Sequence, residues 1–247
     1  MHNVSAIKSA QRFEEPYSFV RSAIIAWYYA IYYSAKSIIA AESGSNPQKH
    51  AKVGKIWQTD IIPRNIVVAP FDYNFVDLTP GNIQQTIAAV RGSNPYDLNT
   101  TPENREQAVG ALISYLKGTA EYERERLERE VKSSSDYKRG GFTNFRSKAA
   151  RELRDRKLAP AHVNFLVQAF RYRGKANYRD AIYLSYGADN LETLSVFIKD
   201  LAEVAGAFTF MAAHFLCRRL TRDNWRDFTD DIRENVRFPL PFELKEL

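Results

Sequence analysis

The sequence predicts a mainly α-helical protein, and three long stretches carry that prediction. Residues 17–41, YSFVRSAIIAWYYAIYYSAKSIIAA, are apolar on nearly every helical face. Residues 188–220 repeat large apolar side chains at helical spacing, and residues 101–131 form a third helical pattern. A helix that is apolar all round must be surrounded by other elements. We therefore expect a helical bundle in which residues 17–41 form the central helix and residues 188–220 pack against it.

The central stretch reads as a core helix rather than a membrane span. Its uncharged part, between Arg21 and Lys36, has fourteen residues, fewer than the roughly 20 that a bilayer requires. It carries two pairs of tyrosines four residues apart, and that spacing predicts stacked rings whose buried hydroxyls need hydrogen-bond partners. The pairs are Tyr28 with Tyr32 and Tyr29 with Tyr33.

Length and composition are compatible with one large domain or two modest ones. The chain has 247 residues, of which 45% are hydrophobic and 13% aromatic, enough for a substantial core. We interpret residues 1–247 as a single domain. The N-terminus has no secretory signal pattern, so we expect a cytoplasmic protein without membrane association. Cys217 is the one cysteine, which excludes an intramolecular disulfide and a cysteine-cluster metal site.

Between the two core helices, residues 59–157 have the composition of an elaborated insertion that is partly irregular and partly helical. A short amphipathic helix at 48–58 precedes it. Residues 61–81 contain three prolines and no helical period, with a possible strand at 66–69. A helix is expected at 81–90, and Thr100 with Glu103 forms a capping box for the long helix that ends near residue 131.

The remaining elements are a flexible loop at 133–141, a helix at 161–170 that Pro160 introduces, and a loop at 171–180. A last short helix at 224–236 and an extended tail follow the second core helix. The tail and residues 61–75 are apolar enough to bury against a partner protein. We therefore expect a homodimer or a place in a larger complex.

Residues 138–157, which we name the basic segment, contain eight cations against Asp136, Glu152 and Asp155 in and beside them. Such a segment can contact phosphates without sequence selectivity, while nearby aromatics such as Tyr137, Phe142 and Phe145 can stack on unpaired bases. The alternative is a solvated basic helix. The candidate nucleic-acid-binding residues are Lys138, Arg139, Arg146, Lys148, Arg151, Arg154, Lys157, Arg171 and Arg173.

Two separated pieces resemble the HEPN superfamily, small helical-bundle proteins of prokaryotic toxin–antitoxin, abortive-infection and other defence systems. The first is AWYYAIYYSAKSIIAAESGSNPQKHAKV, with a Tyr-Tyr-Ala signature and a Lys-His pair at 49–50. The second is RYRGKANYRDAIYL, at 171–184, which leads into the last long helix. The resemblance implies an HEPN-like helical bundle and a role in such a system. It covers about a third of the chain.

Many members of that superfamily are metal-independent ribonucleases, and the resemblance implies an arginine and a histidine four to six residues apart. A histidine can move protons near neutral pH, and an arginine can hold the phosphate in the transition state. Arg156 and His162 have that spacing and are the candidate catalytic pair. His50 also occupies a family-like position, where a cap or a hydrogen bond to a neighbouring helix is the alternative to catalysis. No histidine pair has metal-ligand spacing, and we expect neither a metal nor a cofactor.

Three functions remain open at this point. The first is a non-catalytic defence or toxin-system protein that binds RNA or single-stranded DNA through the basic segment. The second is a metal-independent HEPN ribonuclease. The third is a structural subunit of a protein complex. The local concentration of positive charge favours the first function. The catalytic spacing of Arg156 and His162 falls outside the segments that resemble the family, which counts against the second.

Overall fold

The computed structural model describes residues 1–10, 16–91, 103–178 and 191–235. Helices dominate this part of the chain, which confirms the predicted mainly α fold class. No helix within it is long and apolar enough to cross a membrane. In chain order the elements are α1 His2–Ala10, α2 Pro16–Ser43, α3 His50–Ile56, β1 Asn74–Val76, α4 Pro80–Arg91, α5 Arg105–Ser133, α6 Ser135–Arg139, α7 Lys148–Leu158, β2 His162–Asn164, α8 Phe165–Tyr178, α9 Leu191–Arg219 and α10 Arg222–Asn235.

The chain forms two compact units. One contains Met1–Val68 and Ala169–Leu247, and the other contains Ala69–Gln168. The second unit overlaps much of the stretch 59–157 that the sequence predicts as an insertion. The boundary near residue 168 falls inside α8, whose first residues belong to the second unit and whose remainder belongs to the first.

The core of the first unit lies between α2 and α9, as the sequence predicts. The Ser34 hydroxyl lies 3.4 Å from that of Thr209, and two turns later Glu42 lies 3.7 Å from Arg219. The second contact lies closer to the C-terminus than the first in both helices, so the two helices run parallel. Helix α1 packs on both of them. Fully buried isoleucines fill the α2 side of the interface, and the hydrophobic effect of their burial stabilises the pair.

Helix α3 continues directly into a π-helical turn at Trp57–Ile61 and a 3₁₀ turn at Ile62–Arg64. The wider π turn places Trp57 in the core, where its fully buried ring stacks on Phe208 of α9 at 5.5 Å between centroids. Asn65, with φ of 55°, ends this run in the left-handed conformation that asparagine tolerates. The strand predicted at 66–69 is not formed there.

The second unit is built on α5, which packs against α4, α7 and a two-stranded antiparallel sheet. The register pairs Asn74 with Asn164 and Val76 with His162. Strand β2 occupies residues for which the sequence predicts a helix, so that helix begins only at Phe165. The Asn164 side chain caps it by accepting a hydrogen bond from the Val167 amide at 3.1 Å. The core of this unit is apolar and includes Phe75, Leu78, Ile83, Leu116, Leu158 and Val163.

Three further predictions about boundaries differ from the structure. The loop expected at 133–141 contains the short helix α6, which Ser134 caps. The cap of α5 is Asn104, which accepts from the Gln107 amide at 2.9 Å, while the Gln107 side chain accepts from the Glu103 amide at 2.8 Å. The reciprocal cap therefore lies a few residues after the predicted one, whose Thr100 lies outside the described residues. Helix α8 extends to Tyr178 through most of the predicted loop at 171–180, because Gly174 lowers helix stability without ending a helix. The predicted tail at 238–242 also lies outside the described residues.

Candidate functional site

The basic segment belongs to the second unit and is organised by two capped helices. Ser134 accepts a hydrogen bond from the Tyr137 amide at the start of α6, and Ser147 accepts one from the Ala150 amide at the start of α7. Gly141 joins them at φ of 65°, a conformation that favours glycine. The ring of Phe142 lies over Gly140, where a Cβ atom would collide with it. The turn therefore depends on both glycines.

Three aromatic rings hold this turn in place. Tyr137 is 3% exposed, and the rings of Phe142 and Phe145 meet it edge-on at 5.6 and 5.4 Å. The cluster packs on Val131 and Ala150. The sequence suggests these rings as platforms for unpaired bases, and for Tyr137 that interpretation is wrong because its ring is buried. The two phenylalanines are half-buried in the same cluster, and their contacts with Tyr137 give them a structural role.

Several predicted nucleic-acid-binding cations already have partners. Arg154 is 16% exposed, lies 2.8 Å from Asp155, and places its guanidinium 5.5 Å from the centroid of the Phe145 ring. It is therefore part of the aromatic cluster. Three exposed cations pair with carboxylates on the surface, where such pairs contribute little to stability: Arg139 with Asp136, Lys148 with Glu152 and Lys157 with Glu130.

The unpaired cations of the segment make it electropositive. Residues 138–157 contain eight basic and two acidic side chains, an excess of six that equals the net charge of the whole chain. Four of the cations are exposed and have no carboxylate within 4 Å among the described residues. They are Lys138, Arg146, Arg151 and Arg156. The Arg151 guanidinium donates to the backbone carbonyl of Arg146 at 2.7 Å, which holds the Arg151 side chain against the backbone at the start of α7.

The candidate catalytic pair occupies two different elements of the second unit. Arg156 lies on the exposed side of α7 and makes neither a hydrogen bond nor an ion pair with any described residue. His162 is half-buried in β2, opposite Val76. A ribonuclease site needs the arginine and the histidine to face one phosphate, and this geometry leaves the catalytic assignment a prediction.

A second group of chemically capable side chains lies in the first unit, around His50 at the start of α3. The His50 Nδ1 atom lies 2.5 Å from the Tyr28 hydroxyl. Its ring stacks on Phe170 of α8 at 4.9 Å and lies 4.5 Å from the ring of Tyr32. This hydrogen bond to the neighbouring helix is the structural alternative to a catalytic role for His50. The predicted stacking of the tyrosines is also confirmed, with 5.8 Å for Tyr28–Tyr32 and 5.7 Å for Tyr29–Tyr33.

Arg173 lies over the same aromatic surface. Its guanidinium carbon is 5.4 Å from the Tyr28 centroid, 5.5 Å from that of Tyr29 and 5.8 Å from that of Phe170. Its Nε atom is buried and has no hydrogen-bond partner. No carboxylate lies within 4 Å of this guanidinium in the part of the chain that the structure describes. Arg171, the other predicted nucleic-acid-binding arginine of α8, already has an interaction partner.

The protonation state of His50 follows from its surroundings. Burial lowers the pKa of His50, and the positive charges of Arg173 and Lys36 lower it further, so the ring is neutral at neutral pH. Burial raises the pKa of Tyr28, so its hydroxyl stays protonated and donates a hydrogen bond to Nδ1. The neutral imidazole therefore carries its own hydrogen on Nε2. We name His50, Arg173 and Lys36, with Tyr28 and Phe170, the cationic aromatic cluster.

The sequence identifies Arg173 and His50 separately as candidates and does not identify Phe170 and Lys36 as their neighbours. The sequence contains one signal for this cluster: the tyrosine pairs of α2, whose buried hydroxyls require hydrogen-bond partners. The described residues contain no group of three or more histidine, cysteine or acidic side chains arranged to hold a metal ion.

No known protein family, curated protein or solved structure matches this chain.

Proposed function

We propose that this protein binds RNA or single-stranded DNA through the basic segment, without cleaving it, as an HEPN-like component of a prokaryotic defence or toxin–antitoxin system. The observation that carries the proposal is the set of four exposed cations without carboxylate partners among the described residues, Lys138, Arg146, Arg151 and Arg156. Phosphate contacts supply most of the affinity of sequence-independent binding. The assignment to such a system rests on the resemblance of the central helix and residues 171–184 to HEPN proteins.

The local structure supports binding by charge rather than by base stacking. The aromatic cluster around Tyr137 fixes the start of α7, so the cations beside it are presented from a rigid element. Because the rings of this cluster pack on each other, we expect little discrimination between bases. Binding should therefore depend strongly on salt and weakly on sequence.

A charge-removal experiment tests the proposal. Labelled single-stranded RNA and DNA are titrated by fluorescence anisotropy at several salt concentrations, with chelator present. Replacing the four free cations with glutamine should weaken binding and make the salt dependence shallower by about 0.7 for each phosphate that the variant no longer neutralises. A control variant removes four exposed cations of the first unit that have no carboxylate partner among the described residues: Lys52, Lys55, Arg218 and Arg222.

The control separates a local site from the effect of net charge. Both variants change the net charge by the same amount, so equal weakening would mean that only the overall charge matters and would contradict the proposal. Weakening confined to the basic-segment variant supports it. An unmodified protein that binds neither nucleic acid at low salt would favour the structural-subunit alternative. We expect the oligomeric state, measured by light scattering, to be a dimer or a complex with a partner.

The ribonuclease alternative has its own outcome in the same assay. If the unmodified protein cuts RNA in chelator and His162→Ala abolishes the cleavage while RNA binding stays close to normal, the enzyme hypothesis replaces the proposal. A general acid or base contributes roughly 10²–10⁴-fold to rate and little to binding of the substrate. His214→Ala serves as the matched control, because it removes a histidine of the first unit that belongs to neither candidate site.

A further inference from the structure

The cationic aromatic cluster has an excess of hydrogen-bond donors over acceptors. Arg173 contributes a guanidinium, Lys36 an ammonium, and neutral His50 an Nε2–H group, since Nδ1 accepts from Tyr28. The Lys36 ammonium lies 5.7 Å from the Tyr32 centroid and 3.5 Å from the Gln48 side-chain oxygen. No carboxylate of the described residues lies within 4 Å of either cation. The side chains on this surface are therefore positive and aromatic.

The position of Arg173 is the second observation. Its guanidinium stacks on rings of α2 and α8, and the buried Nε atom has no acceptor. A buried polar group without a partner costs free energy, and the cost is larger for a charged group. Contacts with three rings hold the guanidinium at this surface. A guanidinium is suited to planar, two-point recognition of an oxyanion.

We infer that Arg173, Lys36 and His50 form a binding site for a 5′-phosphomonoester, carried by a nucleotide or by the end of a nucleic-acid strand. The phosphate dianion matches two permanent positive charges and one neutral donor. A carboxylate, with one charge and two oxygens, would leave part of this donor set unused. Phe170, which is 40% exposed, offers apolar area beside the phosphate position for the attached nucleoside.

This inference stands apart from the proposed binding by the basic segment, because it uses residues of the other unit and a different kind of ligand. The two can fail separately. A phosphodiester backbone carries one charge per phosphate and occurs along any strand, whereas a terminal monoester carries about two and occurs once. The probe must therefore compare phosphorylated with unphosphorylated forms of the same molecule.

The test is calorimetric titration of the full chain with adenosine 5′-monophosphate, with adenosine, and with a short single-stranded oligonucleotide in 5′-phosphorylated and 5′-hydroxyl forms. We expect the phosphorylated form to bind more tightly. Binding of the mononucleotide identifies a free nucleotide as the ligand, and binding of the oligonucleotide alone identifies a strand end. Affinity that does not depend on the phosphate overturns the inference.

Variants locate the site. Arg173→Gln should weaken phosphate-dependent binding on the order of tenfold or more, since it removes a charged hydrogen-bond donor. Lys36→Gln should weaken it less, and it covers the case in which the arginine variant does not fold, because Lys36 packs less closely. Lys52→Gln, an exposed change in α3, is the control and should bind normally. If Lys36→Gln and a folded Arg173→Gln both bind like the unmodified protein, the site is elsewhere and the inference is wrong.

Discussion

Replacing Arg154 with alanine should destabilise the second unit and leave nucleic-acid affinity nearly unchanged, whereas Arg146→Ala should do the reverse. Both arginines belong to the basic segment, and the sequence offers no way to tell them apart. Arg154 is 16% exposed and engaged with Phe145 and Asp155. The Arg146 side chain is exposed and has no carboxylate partner among the described residues. The comparison therefore separates a structural cation from a binding one.

The expected decrease in stability for Arg154→Ala can be estimated from its contacts. A cation over an aromatic face contributes about 0.5–2 kcal/mol, with the upper values for desolvated pairs. The ion pair with Asp155, which is 41% exposed, adds about 0–1 kcal/mol. The aliphatic stem also covers apolar surface. Together these give about 1–3 kcal/mol, whereas an exposed arginine such as Arg146 should change stability by less than about 0.5 kcal/mol.

Hydrogen exchange of the peptides that span α6 and α7 is the appropriate assay, because it reports local opening in a protein of two units. The expected decrease corresponds to roughly 5- to 150-fold faster exchange of the protected amides in Arg154→Ala. Exchange in Arg146→Ala should match the unmodified protein within about a factor of two. If Arg154→Ala exchanges normally and also binds nucleic acid more weakly than Arg146→Ala does, the assignment of Arg154 to the aromatic cluster is refuted.

Two further predictions concern buried polar atoms. Tyr137→Phe should leave stability unchanged or raise it, because the Tyr137 hydroxyl is buried without a hydrogen-bond partner; a thermal melt that falls by several degrees would contradict this. For His50, the folded pKa lies below the unfolded value of about 6.5, so unfolded chains bind more protons and stability falls as the pH drops below that value. The free energy of unfolding can be measured at several pH values by urea unfolding followed by tryptophan fluorescence. In His50→Gln this part of its pH dependence should disappear, and an unchanged pH profile would contradict the prediction. The ionisable groups facing His50 are Tyr28, Tyr32, Lys36 and Arg173.

The parts of the fold that the sequence predicts correctly depend on local periodicity. Apolar spacing identifies α2 and α9 as core helices that pair, and the i,i+4 tyrosines stack because a helix fixes their separation. Strand β2 is missed for the opposite reason. Its three residues follow Pro160, a common helix start, and become a strand only because β1 lies beside them, although 86 residues separate Val76 from His162 in the chain. Short strands without their partner carry little sequence signal.

The candidate sites show the same division. Charge is additive along the sequence, so the basic segment is visible in the sequence, but which of its cations are free depends on contacts with Glu130 and Phe145. The cationic aromatic cluster is harder to predict, since His50 lies 22 residues from Tyr28 and its neighbour Phe170 comes from a helix much later in the chain. Residue type alone shows that its members can bind an anion. Only the packing of α3 and α8 on α2 brings them together.

Arg154 and Arg173 show how a shared contact can have different consequences. Both guanidinium carbons lie about 5.5 Å from an aromatic centroid. Arg154 also has a carboxylate at 2.8 Å, so its charge is neutralised within the chain and it requires no anion from outside. Arg173 has no such partner among the described residues, and its Nε atom has no acceptor. An anion from outside would neutralise the charge of Arg173 as Asp155 neutralises that of Arg154. Because such a ligand binds only the folded chain, at ten times its dissociation constant it would add about 1.4 kcal/mol to the stability of the first unit.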